Sequence, residues 1–251
     1  MSLLFSEKEG ERMAKKIVFA SGKGGVGKTT LTVGIGTALS EMGRSVLLVD
    51  FDNLRSIDLI VGAAESVVYD WGDVLLGRCS VEDAIYKSGN LSVMSCPRKY
   101  GEATPKKVGE LIRSLDKKFD FILCDAPAGI GRGLHLAIAA ADKGILVATP
   151  DYVCVRGAFT ASDEMIEGGI SDIRLIINRA VKKDIKRNKM LNFDSVIDST
   201  AVQLIGVVPE DPFLRFGAMG VSVYKKGQIS YPAFNNIAKR ITGLSIPLSF
   251  A

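Results

Sequence analysis

Seven short apolar runs recur along the chain: Ile17–Ala20, Val46–Val49, Leu91–Met94, Phe121–Cys124, Ile145–Thr149, Ile173–Ile177 and Leu204–Val208. They are nearly continuous in Val, Ile and Leu instead of alternating with polar residues, which predicts strands covered on both faces. Longer amphipathic segments separate them. One opens at Thr104-Pro105, a capping residue followed by proline at the first helical position, and sets Val108, Leu111, Ile112 and Leu115 on one face. A last helix, "PAFNNIAKRITG", sets Phe234, Ile237, Ile241 and Leu244 on its core face, with Lys239 and Arg240 opposite. The alternation predicts one α/β domain over residues 16–251, a doubly wound and mainly parallel sheet with helices on both faces. Residues 1–15 read as a frayed leader.

Composition narrows the class. The 251 residues are 47% hydrophobic and 24% charged, as in a single globular domain with a sizeable core. The longest apolar runs are too short to span a bilayer, and the N-terminus has no cleavage-site pattern, so a cytoplasmic protein is expected. Cys79, Cys96, Cys124 and Cys154 are far apart with no C-x-x-C pair, and read as free thiols. That spacing also disfavours an iron–sulfur carrier. The single His135 disfavours a histidine-based metal site. The net charge of +4 is compatible with an anionic ligand. DNA is not favoured: the basic run Val181–Lys189 has no aromatic residues for base stacking and reads as a solvated loop and helix start.

The candidate chemistry lies between the first strand and the helix after it. In "SGKGGVGKTT" (residues 21–30), Gly22-x-x-x-x-Gly27-Lys28-Thr29 satisfies the phosphate-loop pattern in its required strand–loop–helix setting. Gly24, Gly25, Val26, Gly27, Lys28, Thr29 and Thr30 are the candidate phosphate-binding residues. Glycines let backbone N–H groups turn inward on phosphate oxygens, and the helix N-terminus adds partial positive charge. Lys28 would reach the β- and γ-phosphates, and the Thr29 hydroxyl would ligate Mg²⁺. Two further strands end in carboxylates: Asp50 and Asp52 after "RSVLLV", on one side if the strand persists that far, and Asp125 after "FDFILC". Asn178 ends "IRLIIN" with an amide suited to the adenine edge, beside Arg179. The turn Pro209-Glu210-Asp211 could frame the ring with its backbone.

Lys23, ahead of the glycine cluster, is not required by the phosphate-loop pattern. With it, "KGGVGKTT" resembles the deviant Walker A motif of the MinD/ParA family of dimeric ATPases. "DLIVG", "CDAPAGI", "TPDYVCVRGA", "INRA" and "KMLNFDSVIDSTAVQLIGVVPED" extend the likeness from Lys16 to Gly243 and towards the MinD branch, which regulates division-site placement. The resemblance implies a Mg²⁺-dependent ATPase that pairs into a homodimer with ATP bound and turns over slowly until a protein regulator or activator engages it. It implies that Lys23 crosses to the partner subunit's phosphates, that Asp52 aims the attacking water, and that Asp50 and Asp125 support Mg²⁺. It also implies that Asn178 and the 209–211 turn border adenine. A ParA-like DNA-segregation ATPase and a non-hydrolysing ATP-binding scaffold are the alternatives. The chain departs from the branch in three places. The loop after Asp52 is one residue shorter; Ala126, Gly131 and Gly157 replace the usual serine, acidic residue and aspartate; and "LSIPLSFA" stands where a basic amphipathic helix would bind membrane. Membrane contact is therefore expected to be weak or made through a partner.

Overall fold

The computed structural model describes residues 13–89, 91–219 and 222–250. Eight strands make one sheet: β1 (Lys15–Ala20), β2 (Val46–Asp50), β3 (Ile85–Ser88), β4 (Leu91–Met94), β5 (Phe121–Asp125), β6 (Lys143–Ala148), β7 (Asp172–Ala180) and β8 (Gln203–Pro209). Their order is β3-β4-β2-β5-β1-β6-β7-β8, parallel throughout except for β3 against β4. All seven expected strands are present. β3 went unpredicted because "IYKS" is short, half-exposed and lacks an apolar run. Of the expected leader, residues 1–12 lie outside the described residues, and β1 already starts at Lys15.

Side chains alternate across the sheet. Ile17 and Phe19 of β1 pack with α1 (Lys28–Glu41) and α9 (Tyr231–Thr242), while Val18 and Ala20 point into the opposite core. That second core is closed by α4 (Pro105–Arg113), α5 (Arg132–Ala139), α6 (Tyr152–Glu167) and α8 (Phe193–Thr200). Short helices α2 (Ser56–Ile60) and α3 (Trp71–Leu75) follow β2, and α7 (Lys182–Lys186) occupies the basic run with no buried residue. Thr104 caps α4 as predicted, its hydroxyl accepting from Lys107 N at 3.3 Å, and Val108, Leu111, Ile112 and Leu115 are all buried.

The end of α9 corrects two expectations. Gly243, in the left-handed region at φ 102°, stops the helix, so Leu244 leaves the core face and is exposed. Arg240 does not sit on a solvated face: it donates to Ile205 O at 2.8 Å, Ile246 O at 2.9 Å and Pro247 O at 2.6 Å. The segment after α9 is thereby held against β8, and Phe250 meets Phe193 edge-on at 5.1 Å.

One buried ion pair fastens the start of β1. Lys16 Nζ lies 2.8 Å from buried Asp116 and 3.0 Å from exposed Asp142. Burial opposes its charge, but the two carboxylates outweigh it and raise the ammonium pKa. Lys16→Ala would leave Asp116 buried without a cation, so a loss of about 3–5 kcal/mol is expected in urea denaturation. Asp142→Ala should cost less than about 1 kcal/mol. Equal losses from the two variants would refute this division of roles.

Candidate functional site

After Ala20 the chain bends through residues 21–27 into α1, a path that only glycine permits at several points. Gly25 and Gly27 have φ of 78° and 89°, in the left-handed region. Gly22 lies flat against α6, where a Cβ would stand 1.9 Å from the Gly157 carbonyl carbon. Buried Val26 roots the loop in the core, and Ser21 Oγ donates to Lys23 O at 3.1 Å. Lys23, Gly24 and Gly25 are exposed at the loop's outer side.

Asp125, fully buried at the end of β5, gathers the first turn of α1. Lys28 Nζ lies 2.8 Å from its Oδ1, Thr29 Oγ1 donates to its Oδ2 at 2.6 Å, and Thr32 Oγ1 is 3.1 Å from Oδ1. The phosphate-loop lysine, the candidate metal-binding hydroxyl and the strand-end carboxylate are thus brought together. Gly129, in the loop after β5, donates its N–H to Ser21 O at 3.1 Å and lays that loop on the phosphate loop.

Asp50 pairs in register with Asp125 on the neighbouring strand and is equally buried. Burial, and then the Asp125 charge, hold its carboxyl well above the usual range. Its two oxygens accept from Asp52 N at 2.7 Å and Ile57 N at 3.1 Å, so Asp50 is committed to shaping the following loop. Asp50 and Asp52 do not share a strand face: β2 stops at Asp50. Beyond it, Asp52 Oδ1 accepts from Leu54 N at 3.0 Å and Asp52 O from Arg55 N at 2.9 Å, a compact turn. No hydrogen bond joins Asp52 to Lys28, Thr29 or Asp125 among the described residues.

The adenine candidates also converge. Asn178 Nδ2 donates to Val26 O at 2.7 Å, while its buried Oδ1 has no partner, leaving an acceptor suited to an amino group such as adenine carries. Arg179 donates to Gly25 O at 2.9 Å and approaches Glu210, which also holds Arg215 at 2.8 Å. Thr30, Asn178, Pro209 and Glu210 line one small cavity beside Gly27. Asp211 lines the same cavity, with its side chain engaged elsewhere. Its carboxylate accepts from Phe213 N, Ser230 N and Ser230 Oγ at 2.8–3.0 Å and fastens the start of α9, so its side chain is structural.

The residues present fit Mg²⁺ of the phosphate-loop kind, which keeps most of its waters and needs only a hydroxyl and a carboxylate such as Thr29 and Asp125. No group of three or more His, Cys, Asp or Glu forms a metal cage among the described residues. All four cysteines are free. Thr32, Trp71, Tyr100 and Arg132 contribute to the site or its loops and were not anticipated. Thr32 could have been found, since it follows Lys28 by one helical turn.

Comparison with known proteins agrees with this geometry. A family described as an AAA domain matches residues 14–183. The septum site-determining protein MinD of Synechocystis is 36% identical over 94% of this chain and 92% of its own length. MinD in the MinC:MinD cell division complex of Aquifex aeolicus superposes with a TM-score of 0.86 at 33% identity, covering 94% of this chain and 99% of that one. MinD of Pyrococcus horikoshii complexed with Mg-ADP gives 0.81 at 33% identity, covering 91% and 96%. With the phosphate loop built as described and likeness over nearly the whole chain, this protein belongs to the MinD/ParA family of P-loop ATPases, on its MinD side.

Proposed function

We propose that the chain is a Mg²⁺-dependent ATPase switch: it pairs into a homodimer with ATP, engages a protein regulator that stimulates slow turnover, and acts in placing the division septum. The Lys28–Thr29–Asp125 cluster inside the glycine loop carries this reading. Lys28 and the loop N–H groups bind the β- and γ-phosphates, and the Asn178 amide and the 209–211 backbone receive the base. Thr29 and Asp125 would hold Mg²⁺, which when bound supplies positive charge against the phosphates. Asp52 orients water; it need not be a strong base, because phosphoryl transfer relies on positioning and charge stabilisation.

Pairing is supported by exposed apolar residues on segments that follow β2 and β6. Leu54, Tyr152 and Val153, from the loop after Asp52 and the start of α6, are 77%, 80% and 66% exposed, an apolar surface suited to burial against a second copy. Lys23 is close enough to bear on Asp151: burial opposes that carboxylate's charge, but bonds from Thr149 and Cys154 and the lysine's charge lower its pKa. The MinC:MinD complex of Aquifex supports a protein partner. No described helix is long and apolar enough to cross a membrane. In this reading membrane contact is weak or made through a partner, and localisation is cytoplasmic to peripheral.

Light scattering after size exclusion tests the switch. Wild type should be dimeric in Mg²⁺ with a non-hydrolysable ATP analogue and monomeric in ADP, and Lys23→Ala should stay monomeric in both while still binding nucleotide. Normal pairing and hydrolysis by Lys23→Ala would end the cross-subunit role.

A further inference from the structure

A second cavity, of about 300 Å³, lies between α3 and the segment joining β4 to α4. Its wall, residues 96–103, grips both loops that flank the phosphate loop. The loop after β2 is held at three points: Asn53 Nδ2 donates to Pro97 O at 2.7 Å, Arg55 Nε to Cys96 O at 2.5 Å, and Tyr100 OH to Phe51 O at 2.7 Å. The loop after β5 is held through Arg132, which donates to Gly101 O at 2.7 Å and Ala103 O at 2.8 Å and stands 5.9 Å from the Tyr100 ring. Tyr100 stacks on Trp71 at 6.2 Å, and Trp71 Nε1 donates to Asp50 O at 2.9 Å. A single segment therefore touches the loop of Asp52 and the helix start after the loop of Gly129, and reaches the strand end of Asp50 through Trp71.

The lining is unbalanced in charge. Asp70 is neutralised by Arg55 at 2.5 Å and Asp73 by Arg78 at 3.1 Å. Arg98, Lys99 and Lys107 also line the cavity, are exposed, and form no ion pair among the described residues, with Glu102 the one acid left beside them. Leu76, 55% exposed, offers apolar contact next to Leu75 and Pro97. The volume is at the lower end of the range for ligand sites, enough for one or two side chains.

We propose that this cavity is a docking surface for an acidic segment of a partner protein, carrying an apolar side chain among its carboxylates, and that docking is transmitted to the loops after β2 and β5. Carboxylates meet the three unpaired cations, which outnumber the one acid Glu102, and the apolar side chain covers Leu76. Transmission follows from the bonds: Tyr100 and Arg132 make residues 96–103 a common support, so stiffening it stiffens both loops. Docking itself does not depend on the ATPase reading. Only the consequence for turnover rests on it.

The probe is a short fluorescein-labelled peptide of alternating glutamate and leucine. Saturable binding to the full chain is expected by anisotropy, weakened about tenfold or more by the triple variant Arg98→Glu/Lys99→Glu/Lys107→Glu and also by Leu76→Asp. The pair Lys182→Glu/Lys183→Glu on α7, a basic site elsewhere, should bind as wild type. Failure to saturate, equal loss in the α7 pair, or displacement by a single-stranded oligonucleotide of equal affinity would overturn the assignment. Hydrogen exchange reads the transmission without ATP: amides of residues 51–55 and 129–132 should gain protection with peptide in wild type. In Asn53→Ala, which loses the bond to Pro97 O from a residue outside the cavity lining, the 51–55 gain should shrink while peptide binding persists. Unchanged exchange in wild type at saturation would refute transmission, whereas loss of ATP turnover alone would bear on the ATPase reading and leave docking standing.

Discussion

Lys28→Ala is expected to lose measurable nucleotide binding and, separately, to be less stable than wild type by about 3 kcal/mol. The first effect follows because Lys28 is the one charged side chain of the loop directed inward, 2.8 Å from the carboxylate beside which Thr29 would bind the metal. The second follows because Asp125 is fully buried and would lose its only ammonium partner among the described residues. The figure sits at the lower end for a broken buried pair because Thr29 and Thr32 still reach the carboxylate. For a chain of this size it corresponds to a drop in Tm of about 6–12 °C. Titration with a fluorescent ATP analogue and a thermal melt without nucleotide read the two effects independently. A variant that melts with wild type would show that Asp125 carries no uncompensated charge in the folded protein.

The glycine contact behind the loop gives the second large effect. Gly22→Ala places a methyl 1.9 Å from the backbone of Gly157, too close for any side-chain adjustment to relieve. Either α6 or the loop must move, so nucleotide affinity and stability should fall together. The reverse substitution is the control: a Cβ on Gly157 would lie 3.2 Å from Gly22, a tight contact that small shifts absorb at about 1–3 kcal/mol. Gly157→Ala should therefore fold and bind ATP, whereas Gly22→Ala should do neither well. Equal behaviour of the two in melting and nucleotide titration would contradict the packing.

The central architecture was legible because strands buried on both faces must be apolar at successive positions, and β1, β2, β5 and β7 are. The phosphate loop was legible because its geometry demands particular residues at fixed offsets. What escaped depends on partners distant in the chain. Asp211 keeps its place in the turn beside the cavity at Gly27, but its carboxylate belongs to Ser230, nineteen positions on, which no local pattern announces. Asp50 and Asp52 have the spacing of one strand face, yet the chain leaves the sheet between them, where Phe51 N donates to Asp125 O. Tyr100 and Arg132 carry no local motif; only the folding of two loops onto residues 96–103 brings them together.

The tail held by Arg240 bears on how copies of the molecule can meet. An outermost strand exposes unpaired backbone groups and invites another sheet to extend it. At one margin, Arg240 covers the Ile205 carbonyl of β8 and draws the following segment alongside. At the other, β3 is four residues long and bears exposed Lys87. Both margins are thereby made poor templates for lateral growth of the sheet.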